Sequence, residues 1–343
     1  MTEFYIVESN AVDYKAQILS FWENYLPGTP VERFDWMRTN PAGEAVWFLA
    51  FEKSSNRLAG TVSIMPREIV SDTEVYRVGI MGDFMTLAEY RVFGPAMKLQ
   101  KVAFDSRERL GLKFIYTVPN MASIKLVQRA GFVNTIDLIH LVKPLRLSRY
   151  VDKYFVSTVC KTSLRLIIPV IEKSLKLLSK ETYIRADGYF KEVKTIDESF
   201  DVLWEKAKKK SRQTIGVRNS KLLNWKFINN PVYNFRVVVY KYPSDTDIAG
   251  YIIFTLHNGI IDIFDILSLE EATIGKLLKI TTDIAKNENC HAIHLRQSRN
   301  NPVLKKSGAF MFFDAKNDAV VCASQIDNEL YSKWAFLEGD KNS

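Results

Sequence analysis

Cysteine is scarce in this chain: Cys160, Cys290 and Cys322 are the only three among 343 residues, odd in number and far apart. Neither a disulfide framework nor paired zinc-ligand spacing can be built from them, so a reducing cytoplasm is the expected compartment. Histidine is scarce too, at four residues. His291 and His294 in "CHAIHL" stand three apart on an alternating strand and therefore point to opposite faces, which argues against a site with Cys290. No metal is expected. Long apolar runs are missing as well. The strongest, "LRLIIPVIEKSLKLL" from Leu164, is broken by Arg165, Pro169, Glu172, Lys173 and Lys176, and falls short of the roughly 20 apolar residues that a spanning helix needs. "MTEFYIVESN" carries Glu3 and Glu8 with no apolar core, so it does not read as a signal peptide.

What is present is an ordinary globular composition, 47% hydrophobic and 25% charged, at a length that suggests two domains. The formal net charge of +8 and the pI near 9.1 favour an anionic partner. Nucleic acid, a phosphorylated small molecule or a membrane surface would each satisfy that charge.

The chain repeats itself. "FDWMRTNP" (Phe34 to Pro41), "VWFLAF" (Val46 to Phe51) and "RLAGTVSIM" from Arg57 are echoed by "LNWKFINNP" (Leu223 to Pro231), "FRVVVY" (Phe235 to Tyr240) and "DIAGYIIF" from Asp247. "GDFMTL" at Gly82 is echoed by "FDILSL" at Phe264, and "NMASIKLVQRAGF" at Asn120 by "NNPVLKKSGAF" at Asn300. Five matching segments in one order indicate a duplicated unit. Each unit reads as helix, antiparallel strands, helix, strand and a short last helix, a mixed α/β sheet with one parallel crossover. The spacing of Leu99, Val102, Ala103, Phe104 and Leu110 predicts a helix over 96–110, stopped by Gly111. The expected layout is an N-terminal domain at 1–142, a basic helical connector at 143–190, a C-terminal domain at 191–327 and a tail at 328–343. The connector's basic amphipathic pattern reads as a solvated face, with a weak membrane-surface contact as the sharper alternative.

Between a strand, "VGIMGDFMTL", and the helix stands "EYRVFGPA", Glu89 to Ala96. A helix N-terminus presents unpaired N–H groups and positive dipole to an anion. Gly94 lets a ligand approach the backbone, and Pro95 suits the first helical turn. With Arg91, Gly94 and Ala96 in place, this segment resembles the acyl-CoA pyrophosphate loop of the GNAT (GCN5-related N-acetyltransferase) superfamily. The family's closing Asn-helix-Gly-Phe segment is similar to Asn120 through Gly131-Phe132. The resemblance implies two tandem GNAT-like domains and acetyl-CoA as cofactor. It implies a pyrophosphate held by the backbone of Arg91, Val92, Phe93, Gly94, Pro95 and Ala96. It further implies that Phe84, Met85 and Thr86 pair with the pantetheine arm and that Asn120 contacts the cofactor where two parallel strands splay. In the second unit Glu270 and Glu271 stand at the loop position and would repel a pyrophosphate, so one CoA site is expected.

The family transfers an acyl group directly from sulfur to a primary amine, which needs a base or water chain and an oxyanion donor. Its usual Tyr acid falls here on Val127, a departure that leaves the acid unassigned. Asp83, on the strand beside the expected thioester, is the first candidate base, although its echo Asp265 suggests a structural job. His140 is the second, because imidazole titrates in the useful range. Trp36 and Trp225 either cover the acceptor pocket or belong to the core. The resemblance extends to tandem proteins of bacterial surface-polysaccharide (lipopolysaccharide) and amino-sugar assembly. It implies a small-molecule acceptor, an amino sugar on a nucleotide, with no DNA partner. A CoA-binding scaffold without turnover and an aminoacyl-tRNA-dependent transferase of the related double type are the alternatives. Beside the basic balance, the "KAKKKSR" run, Lys206 to Arg212, could favour tRNA, but it reads more simply as a solvated helix face.

Overall fold

The computed structural model describes residues 3–9, 12–90, 94–148, 164, 166–174, 184, 188–243, 247–301, 310–315, 319–325 and 327–341. Phe4–Ser9 (β1), Val46–Glu52 (β2), Leu58–Ser71 (β3) and Glu74–Thr86 (β4) form an antiparallel run. β2, "VWFLAFE", is built from β-branched and aromatic residues that fit a pleated, buried surface. β3 and β4 join through Asp72 and Thr73, both at positive φ (49° and 75°), the two-residue turn whose twist matches the flanking strands. Two helices, Lys15–Tyr25 (α1) and Glu32–Arg38 (α2), lie between β1 and β2 in the chain. Pro95–Asp105 (α3) then crosses over to Ile115–Thr117 (β5), which pairs parallel to β4. Ile124–Arg129 (α4) and Val133–Pro144 (β6) follow. The helix expected over 96–110 stops at Asp105, where Ser106 Oγ donates to the Ala103 carbonyl. The chain then proceeds by turns to Gly111, at φ 64°.

The second half repeats the plan. Tyr189–Val193 (β7), Glu198–Lys210 (α5), Ile215–Gly216 (β8) and Ser220–Leu223 (α6) lead to the antiparallel strands Phe235–Lys241 (β9), Gly250–His257 (β10) and Ile260–Ser268 (β11). An Asn258-Gly259 turn at positive φ (51° and 72°) joins β10 to β11. Glu271–Asn287 (α7) crosses to Ala292–Ser298 (β12), parallel to β11. Phe313–Asp314 (β13), Ala319–Ala323 (β14) and Asn328–Ser332 (α8) close the described chain.

All of this is one mixed α/β sheet, in the order β1-β2-β3-β4-β5-β14-β6-β12-β11-β10-β9-β7. The halves exchange strands. β14, from the second half, lies antiparallel between β5 and β6, while β6 runs on to pair with β12. Leu138 is the pivot, opposite Ala319 on one side and Ser298 on the other. Each exchanged strand covers an edge that would otherwise present unpaired backbone groups.

Residues 328–343, expected as a tail, are instead part of the core where they are described: Trp334 and Phe336 are fully buried, in one apolar cluster with Trp22, Trp47 and Trp225. Trp36 and Trp225 stack face to face, ring centroids 4.4 Å apart and 2° from parallel. Each indole N–H donates to the other residue's carbonyl, at 2.7 and 2.8 Å. Trp225 stands in a π-helical turn, Asn224–Ile228, in which Asn229 N–H reaches back to the Asn224 carbonyl. The two echoed tryptophans therefore join the halves and do not cover an acceptor pocket. Most of the expected connector lies outside the described residues. Its helical piece, 166–174, exposes Leu166, Ile167, Val170 and Ile171. Among the described residues no helix is long and apolar enough to cross a membrane.

Candidate active site

β4 and β5 pair only at Gly79–Ile115 and Ile80–Tyr116, and then diverge. Gly79 is needed at the junction, because a Cβ there would come within 2.7 Å of Ile64 and 2.8 Å of Leu112. Beyond it β4 bulges: Thr61 faces Met85 and Ser63 faces Gly82, so Asp83 and Phe84 together oppose the single residue Val62. Asp83 takes φ 48°, unusual for a residue with a side chain. Three bonds hold it there. Arg33 Nη1 donates to Asp83 Oδ1 at 2.7 Å, Ser63 Oγ to Oδ2 at 2.9 Å, and Thr61 Oγ1 to the Asp83 carbonyl at 3.0 Å. The Asp83 side chain is only 4% exposed. After the bulge Met85 and Thr86 return to register with β3.

The divergence opens a cleft of about 320 Å³. Its walls include Arg33, Asp83 and Phe84 on one side, Thr117 to Asn120 on the other, and Gln100, Val127 and Lys341 at the base and rim. Asn120 Oδ1 accepts from the Ser123 N–H at 2.9 Å and from Ser123 Oγ at 3.0 Å, which stabilises the turn into α4. Its amide donors are not used in that turn. Gln100 is a residue that sequence reasoning missed: it is fully buried on α3, lines the cleft, and neither its amide oxygen nor its nitrogen has a partner. A buried amide left open in this way calls for a ligand or water to complete it. Its position in a helix read only for apolar spacing carried no signal.

At the start of α3, Gly94 adopts φ 100° with no side-chain cap, and Pro95 occupies the first turn. A Cβ at Gly94 would meet nothing within 4 Å, so the space before the helix is open. Ala96 and Met97 precede the first intrahelical donor, Lys98, whose N–H reaches the Gly94 carbonyl. Arg91, Val92 and Phe93 lie outside the described residues.

His140 is not brought to this cleft. It sits on β6 opposite Arg296, separated from β4 by β5 and β14, or roughly 14 Å at ordinary strand spacing. Burial, then Arg296 and His294, hold its imidazole neutral, with a pKa lowered to about 4. Both ring nitrogens are without partners, and the ring meets His294 edge-on at 4.8 Å. The cleft's described lining contains no Tyr, Cys or His; Val127 stands buried in it.

The second half holds the echo of this arrangement with different chemistry. Asp265 sits at the bulge of β11 and receives Arg218 Nε at 2.9 Å and Tyr251 Oη at 2.8 Å. The echoed aspartates thus share a job, each pinning a bulge through a buried arginine. A cleft of about 200 Å³ lies along Ile266 to Leu269 and Asn301. Here an acidic residue leads the helix: Glu270 is the N-cap of α7, its own N–H bonded to Ser268 Oγ, and its carboxylate accepts from Tyr242 without capping the helix. Among the described residues no group of three or more His, Cys, Asp or Glu is placed to hold a metal ion.

A mixed sheet with a splayed parallel pair, a bulge on the first strand and a glycine-led crossover helix is the fold of the acyl-CoA N-acyltransferases. Comparison with solved structures agrees. The chain is similar to a protein of unknown function from Enterococcus faecalis described as a probable N-acyltransferase, with a TM-score of 0.68 at 12% identity over 96% of this chain and 74% of that one. It is similar to a GCN5-related N-acetyltransferase from Kribbella flavida (TM-score 0.61, 12% identity, 94% and 71% covered). It is also similar to the N-myristoyltransferase of Saccharomyces cerevisiae with bound myristoyl-CoA (TM-score 0.60, 12% identity, 98% and 89% covered). No family model and no curated protein matches the sequence.

Proposed function

We propose that this chain is an acyl-CoA-dependent N-acyltransferase, with acetyl-CoA as donor and a primary amine as acceptor. The observation that carries the reading is the meeting, in one cleft, of the splayed strand pair, the Asp83 bulge and Gln100 of α3, the helix whose uncapped start is led by Gly94. The fold is one in which a neighbour holds myristoyl-CoA. The N–H groups before Lys98 would hold the pyrophosphate, with Pro95 contributing none. The strand end Phe84 to Thr86 would lie along the pantetheine arm, and the open amides of Asn120 and Gln100 would complete their hydrogen bonds on it. Arg91, Val92 and Phe93 are proposed on the loop motif alone.

In the chemistry, the amine nitrogen attacks the thioester carbonyl, the C–N bond forms, and the C–S bond breaks. The amine proton must leave, and the thiolate departs as such or takes a proton. Asp83 is the only carboxylate among the described residues lining the cleft, but its oxygens already serve Arg33 and Ser63. With both oxygens engaged, its principal proposed role is to hold the bulge, with the proton passed to water in the open cleft. For the acceptor we propose an amino sugar on a nucleotide, whose diphosphate would suit the basic chain. The absence of Tyr, Cys and His from the described cleft lining favours a second reading, a CoA-binding scaffold without turnover. Calorimetric titration with acetyl-CoA tests the donor site. One site per chain is expected, because Glu270 and Glu271 put negative charge at the second helix start; two sites, or none, would overturn it. Release of free thiol with a panel of amino-sugar nucleotides separates enzyme from scaffold.

A further inference from the structure

At the junction of the halves lies a second, much smaller cavity, about 30 Å³, walled by Arg67 and Tyr116 from the first half and by Arg218, Lys226, Asp265 and Asp340 from the second. That is room for one or two water-sized occupants. Arg67 and Lys226 are each only 5% exposed. The Arg67 guanidinium lies over the Trp225 ring at 5.0 Å, but a ring face takes none of its in-plane N–H groups, and Nε and Nη2 donate to nothing. Lys226 Nζ makes one long bond, 3.3 Å, to the Lys341 carbonyl. Asp265 is committed through both carboxylate oxygens and Asp340 through Oδ2. Asp265 receives Arg218 and Tyr251, and Asp340 receives the Leu337 N–H at 2.9 Å and Arg218 at 3.4 Å. Glu68 lends backbone to the wall, its carbonyl taken by the Val217 N–H, and as the strand neighbour of Arg67 its side chain projects to the other face. Three cations thus face two carboxylates in a buried space, with donors of Arg67 left over.

We propose that this cavity binds a small monovalent anion of the chloride class, held by Arg67 and Lys226. A water would accept from them and could donate to Asp340 Oδ1, but it would leave the surplus charge uncompensated. An anion accepts from every open donor at once. The burial that depresses the affinity of Lys226 and Arg67 for their protons, with Arg67 acting on Lys226, is what such an anion relieves. The site would also tie the C-terminal segment to both halves, since Asp340 precedes Lys341, which reaches the rim of the larger cleft.

The test uses the full chain. Crystals soaked in bromide should show an anomalous peak inside the cavity, and water there without bromide overturns the proposal. In solution, at equal ionic strength and pH, chloride should raise Tm over gluconate by about 2 °C or more once it saturates the site. Lys226→Met and Arg67→Met should each abolish that difference. A difference that persists undiminished in a folded variant would assign the anion elsewhere and overturn this placement. If Arg67→Met fails to fold, Lys226→Met and the bromide map decide.

Discussion

Replacing Asp83 by Asn separates a structural aspartate from a catalytic base. In the structure the Arg33 and Asp83 side chains are 9% and 4% exposed, and their oxygen and nitrogen stand 2.7 Å apart. An asparagine has nearly the same shape, and its one carbonyl oxygen can serve Ser63 or Arg33 but not both. If it serves Ser63, the amide donors face the donors of Arg33, and a buried cation is left alone. Breaking a buried pair from one side costs about 3–5 kcal/mol. Urea unfolding followed by tryptophan fluorescence should therefore show a lower midpoint for Asp83→Asn. Adding Arg33→Met should recover part of the loss, because the stranded charge is what costs most. Asp265→Asn should cost less than Asp83→Asn, since Arg218 keeps a second acid, Asp340, at 3.4 Å. Unchanged stability in Asp83→Asn, with turnover down about a hundredfold, would refute the structural account and make Asp83 the base.

Two further outcomes follow from the site. Gly94→Gln should abolish acetyl-CoA binding in calorimetry while leaving the circular dichroism spectrum intact. The side chain would enter open space before α3, and holding a non-glycine residue at φ 100° costs only about 1–2 kcal/mol. Retained affinity in the folded variant would place the pyrophosphate elsewhere. His140→Leu should leave the pH–rate profile unmoved but flatten the pH dependence of stability. With a folded pKa near 4 and an unfolded value near 6.5, the native state excludes a proton that the unfolded chain binds. The wild type should therefore lose stability as pH falls from about 6.5 towards 4, and the variant should lose less. A parallel slope in the two proteins would contradict the burial argument.

Local chemistry was readable in the chain itself. The β-branched and aromatic strand "VWFLAF" and the Gly94-Pro95 helix start are each decided within a few residues, by backbone sterics and side-chain packing. The order strand, helix, strand sufficed for the parallel crossover, because no short loop can join parallel strands. The repeat made Asp83 and Asp265 equivalent before any partner was visible. Their arginines could not be foreseen, since Arg33 lies 50 residues before Asp83 and Arg218 lies 47 before Asp265. The same distance hid the insertion of β14 beside β5, the mutual bonds of Trp36 and Trp225, the burial of Gln100 in the cleft and the removal of His140 from it. Periodicity assigns a residue to a face, but which face meets which is settled only when distant segments compete for the same exposed sheet edges. In this chain the winning arrangement crosses strands between halves and buries charge where they join.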